Sequence, residues 1–141
     1  MAPIQIIKAD LSEDEQAKAF LQLTACYMRP DPGGSRPWTH QQENKVLEDL
    51  RKHPSAVVLL ARGNTRYLGV CTLFSGYSTF LAGGVYNIHD LYVLPEYRTR
   101  GIGRAMLRAV EKMAREEGAT KITLEVRTDN HVAQKLYLNE G

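Results

Sequence analysis

From Val85 to Val126 the chain reads as strand, glycine-containing turn, helix and strand in direct succession, and this unit constrains the fold more than any other stretch. "VYNIHDLYV" (85–93) has the β-branched and aromatic content of a strand. Ile102, Met106, Ala109, Val110 and Met113 recur at helical spacing, which predicts a helix from about Ile102 to Glu117 that Gly118 stops. "KITLEV" (121–126) is the return strand. Such crossovers are almost always right-handed and make their two strands parallel. Upstream, "AVVLLAR", "GNT" and "YLGVCTLFSGY" read as a hairpin, whose strands pair antiparallel. The two constraints together give an α+β fold, a mixed and mostly antiparallel sheet with one parallel step, flanked by helices.

The remaining elements follow from caps and breakers. Ile4 to Lys8 is a short first strand. Ser12 with Glu15 forms the pattern of a capping box for "LSEDEQAKAFLQLTACYM", a helix with Ala19, Leu23 and Cys26 at helical spacing. "RPDPGGSRP" (29–37) ends it, because proline and glycine at this density do not continue a helix. Thr39 with Gln42 opens a second helix to about Lys52, with Val46, Leu47 and Leu50 inward. "NHVAQKLYLNEG" is read as a last short helix.

A length of 141 residues suits a single domain, 1–141, with a proper core. Apolar content of 43% and charged content of 24% argue against disorder. The net charge of +2 excludes little, but its distribution matters: Arg98, Arg100, Arg104 and Arg108 crowd into one short segment. A nucleic-acid binder spreads basic charge over a wider face interleaved with aromatics, so no nucleic acid is expected. Cys26 and Cys71 sit in apolar contexts without metal-ligand spacing, and read as buried free thiols; no metal is expected. The N-terminus lacks the pattern of a secretory signal, and the apolar run "SAVVLLA" is too short to span a bilayer. A cytoplasmic protein without membrane association is the expectation.

The chemistry concentrates in "PEYRTRGIGRAM" (95–106), where a strand gives way to a helix. Helix N-termini present unpaired N–H groups and the positive end of a dipole, so they attract anions. Gly101 and Gly103 lack a Cβ and let those N–H groups come close to an oxygen. Two nucleotide loops fail on inspection. There is no P-loop string, and Met106 occupies the third position of the dinucleotide fingerprint, where close helix packing wants a small residue.

What fits is Arg98-x-x-Gly101-x-Gly103 preceded by Val93-x-Pro95. This resembles the acetyl-CoA pyrophosphate loop of the GNAT superfamily of N-acetyltransferases. Downstream, Asn130-x-x-Ala133-x-x-Leu136-Tyr137-x-x-x-Gly141 matches that family in order and spacing. The resemblance covers about Ser55 to Gly141. It implies that backbone N–H groups along Arg98, Thr99, Arg100, Gly101, Ile102, Gly103 and Arg104 cradle the CoA pyrophosphate, with the arginine side chains secondary. It implies that the pantetheine arm pairs with the backbone of Leu91, Tyr92 and Val93, and that Asn130 caps its helix and contacts the cofactor.

The implied reaction is acetyl transfer from acetyl-CoA to a primary amine of a small molecule or protein, by direct attack in a ternary complex. The alternative is a catalytically silent acyl-CoA-binding regulatory domain. An alkylamine of pKa near ~10 must lose a proton before it attacks. Asp90 is the favoured base and His89 the alternative; strand alternation puts only one of them toward the acceptor. Tyr137 matches the family tyrosine that stabilises the departing thiolate. Tyr86, Tyr92, Trp38 and the proline-rich loop are candidate walls of the acceptor pocket. A homodimer is left open. The sequence given stops at Gly141, where the family pattern continues into two further strands, so the C-terminal strands are expected to be missing from it.

Overall fold

The computed structural model describes residues 3–28 and 37–124. Its elements are β1 (Ile4–Lys8), α1 (Asp14–Met28), α2 (His40–Lys52), β2 (Ala56–Gly63), β3 (Arg66–Ser78), β4 (Gly83–Val93), a 3-10 turn (Pro95–Tyr97), α3 (Ile102–Glu116) and β5 (Lys121–Leu124). The strands form one sheet in chain order, β1-β2-β3-β4-β5. The first three pairings are antiparallel and β4–β5 is parallel, as the crossover requires. The expected last helix (130–141) and the end of "KITLEV" lie outside the described residues.

Two apolar layers cover the two faces of the sheet. On one, α3 lays Ile102, Met106, Leu107, Val110 and Ala114 against Leu59, Cys71, Leu73, Tyr86, Ile88 and Leu91. On the other, α1 and α2 bring Phe20, Leu23 and Leu47 onto Val58, Leu60, Val70 and Tyr92. Met106 and Val110 are fully buried, so truncating either to alanine costs about 2–5 kcal/mol for the larger side chain and less for the smaller.

The helix ends are set by local chemistry. Thr39 and Gln42 form the reciprocal capping box their spacing predicts. At α3, Gly118 N–H donates to Arg115 O and Ala119 N–H to Ala114 O, a Schellman closure around Gly118 at φ 72°. The start of α1 differs from expectation. The Glu13 carboxylate, not Ser12, accepts from the N–H groups of Glu15 (3.1 Å) and Gln16 (3.0 Å). Asp10 already accepts the Ser12 N–H at 2.9 Å, which holds Ser12 in the preceding turn. An anionic acceptor also suits the positive helix end better than a hydroxyl.

Candidate active site

Strand β4 changes phase halfway along. Leu73 pairs with Ile88 and Thr72 with Asp90, so His89 is an extra residue in the ladder, a β-bulge. Tyr86 and Ile88, before the bulge, and Leu91, after it, all belong to the α3-side core. Tyr92 belongs to the α1/α2 side. Cys71 and Leu73 face α3, so Thr72 between them faces the other way, and its directly opposite partner Asp90 shares that face. His89 lies there too, its ring 6.0 Å from that of Phe74. The bulge therefore overturns the expectation that strand alternation separates His89 from Asp90: both leave the sheet on the α1/α2 face.

Phe74 is held edge-to-face on both flanks, by His89 and by His53 at the end of α2, the latter at 5.4 Å. Thr72 Oγ1 is buried and makes no hydrogen bond among the described residues. Tyr86 is not on this face: it packs in the α3-side core and its hydroxyl donates to the Glu117 carboxylate. Tyr92 is buried, T-packed on Tyr27 at 6.0 Å, and desolvation by burial raises its phenol pKa, so it stays protonated at neutral pH. Burial, assisted by the nearby Asp90 charge, pushes the Cys71 thiol up to about 12, which makes it inert. Cys26, expected to be buried, is exposed.

Beyond the bulge, β4 runs straight into the glycine–arginine loop. Leu94 N–H donates to Leu68 O at 2.9 Å and ties the strand's end to β3. The 3-10 turn follows, then Thr99 at φ 64° and Gly101 at φ 83°, the N-cap of α3. No side chain caps this helix end. The first N–H groups of a helix have no partner within it, so Ile102, Gly103 and Arg104 present theirs beside a left-handed glycine. A Cβ built on Gly101 meets nothing within 4 Å, so that side of the turn faces open space. Ile102 and Met106 are buried and fix the first turn of α3 to the sheet.

Three arginines at the loop are stacked on rings. Arg98 donates from Nε to Val93 O at 2.9 Å and lies over the Tyr92 ring at 5.3 Å. Arg100 lies over Tyr97 at 5.4 Å. Arg66, at the start of β3, lies over the same ring at 5.5 Å and bonds the Tyr97 hydroxyl. Sequence reasoning missed Arg66, because only the sheet brings it beside the loop. Parallel pairing of β4 with β5 runs from Val85↔Lys121 to Ile88↔Leu124. Leu91–Val93 lie past it, with no strand on that side among the described residues. Asn130 and Tyr137 lie outside the described residues.

Comparison with known proteins gives the family and the fold. The model of the acetyltransferase (GNAT) family matches residues 17–140, and the chain belongs to that family. It is 34% identical over 92 residues to an uncharacterised N-acetyltransferase of Bacillus subtilis, YhfO; the match covers 65% of this chain and 61% of that protein. Among solved structures, a probable acetyltransferase is similar with a TM-score of 0.78 at 28% identity, covering 97% of this chain and 88% of the other. The aminoglycoside N-acetyltransferase AAC(6')-Iy, solved in complex with CoA, shares the fold at a TM-score of 0.77 and 16% identity, over 100% of this chain and 88% of its own. Among the described residues no helix is long and apolar enough to cross a membrane.

Proposed function

We propose that this chain transfers the acetyl group of acetyl-CoA to a primary amine by direct attack in a ternary complex. The observation that carries the reading is the β4 bulge: it presents His89 and Asp90 together, immediately before the strand edge that leads to the glycine-capped start of α3. Family membership supports acetyl-CoA as the donor.

In this reading the N–H groups around Gly101 to Arg104 bind the pyrophosphate oxygens. The stacked arginines hold the loop's shape and add positive potential. The backbone edge of Leu91–Val93 pairs with the pantetheine amides as an added strand, and a backbone N–H there stabilises negative charge on the thioester oxygen. Asp90, with His89 as the alternative, takes a proton from the ammonium. The amine nitrogen then bonds to the carbonyl carbon and, as the tetrahedral intermediate collapses, loses its second proton while the C–S bond breaks and the leaving thiolate takes up a proton. Tyr137 is the proposed donor of that hydrogen bond or proton, and Asn130 a further cofactor contact.

The test is a titration with acetyl-CoA followed by a thiol-release assay over primary amines. A chain that binds acetyl-CoA and releases CoA only when an amine is present supports the reading. No thermal shift at acetyl-CoA concentrations far above a micromolar Kd would sink it, since ligand at 100 times Kd adds about 2.7 kcal/mol.

A further inference from the structure

We propose that Phe74 is the apolar wall of the acceptor site, and that it restricts the acceptor to a singly charged primary amine on an alkyl or aryl stem. The inference rests on the transfer reading above and adds the class of amine. Asp90 is the one acidic residue in all five described strands, so the sheet offers an incoming cation a single carboxylate. Around it stand rings: His89 beside it in the chain, and Phe74 half-buried and fixed at 6.0 Å from His89 and 5.4 Å from His53.

Two rings set edge-to-face against Phe74 hold its orientation. A cation near an aromatic face gains about 0.5–2 kcal/mol, and an apolar stem gains by leaving water. Among the described residues, the side chains on this face offer a hydroxyl-rich or multiply charged acceptor few further polar partners. Asn87 Nδ2 is committed to Thr123 Oγ1 at 2.9 Å, and Thr72 Oγ1 is buried. Such an acceptor would strand its own polar groups against Phe74. A zwitterionic amino acid would bring a second carboxylate toward Asp90.

The experiment measures thiol release at saturating acetyl-CoA with phenethylamine, hexylamine, spermidine, kanamycin and glycine, for the wild-type chain, Phe74→Ala and Phe74→Tyr. Calorimetric titration gives acetyl-CoA affinity in parallel. The expected result is kcat/KM at least tenfold higher for phenethylamine or hexylamine than for the other three. Phe74→Ala raises the KM for phenethylamine about tenfold, Phe74→Tyr restores it, and acetyl-CoA Kd moves less than twofold in both. Preference for spermidine, kanamycin or glycine, or an unmoved KM in Phe74→Ala, overturns this proposal alone. Failure of the wild type to bind acetyl-CoA overturns the transfer reading and this one together.

Discussion

Gly69 and Met106 meet where β3 passes beneath the first turn of α3: a Cβ on Gly69 would lie 2.9 Å from Met106 Cε and 3.0 Å from Tyr92 O. Dinucleotide folds place the small residue of this contact on the helix. Here it is on the strand, and the helix supplies the large side chain. The backbone oxygen of Tyr92 cannot yield, so Gly69→Ala is expected to destabilise the chain by about 1–3 kcal/mol in urea unfolding. A double variant with Met106→Leu should recover little of that loss, because the clash with Tyr92 O remains.

Gly101 and Gly118 sit at opposite ends of α3 with φ values of 83° and 72°. Alanine at either costs about 1–2 kcal/mol of stability for the left-handed backbone. Only Gly101→Ala should also weaken acetyl-CoA binding, by about tenfold for the equivalent of one lost charge-assisted hydrogen bond. Calorimetry on the pair separates the two effects. Equal acetyl-CoA affinities in both variants would remove Gly101 from the site.

For the proton transfer, Asp90→Asn is expected to lower kcat by about 10²–10⁴-fold with little change in acetyl-CoA Kd. His89→Gln should lower kcat less. The reverse order would assign the base to His89, and a rate unchanged in both variants would show that neither residue moves the proton.

Cys71 gives the chain a pH signature. Its thiol pKa is raised from 9.0 to about 12 by burial, so the folded state retains a proton that the unfolded state loses above the lower value. This contribution to stability is fully present below pH 9.0 and is lost as pH rises toward about 12, with a slope of about 1.4 kcal/mol per pH unit. Cys71→Ala should flatten the alkaline fall relative to the wild type. An identical slope in the two would contradict a protonated, buried thiol.

The observed cap of α1 makes a sharper distinction. Glu13→Ala should cost about 1 kcal/mol, whereas Ser12→Ala should fall within about 0.5 kcal/mol of wild type. Thermal unfolding of the two variants decides between the observed cap and the one the sequence pattern suggests.

The order of the described elements and the antiparallel and parallel pairings were legible in the sequence because they follow from periodicity and crossover geometry, which are local or nearly so. The stripe from Ile102 to Met113 and the Thr39–Gln42 box are examples. The bulge at His89 was not legible. It is a property of two strands in register, and nothing in "NIHDLYV" alone says which residue β3 will leave unpaired. The same holds for Arg66 over Tyr97, which are far apart in sequence and adjacent only across the sheet. At α1 the competition between Ser12 and Glu13 turned on Asp10, a residue outside the usual capping pattern.

One consequence concerns insertions and deletions. With His89 present, both Ile88 and Leu91 point into the α3-side core, so the two halves of β4 are written in different phases. Substituting His89 leaves that phasing intact. Removing it would shift every later position by one, turning Leu91 out of the core and re-aiming the segment that enters the loop at Leu94. Lineages of this chain should therefore hold the spacing between Ile88 and Gly101 fixed.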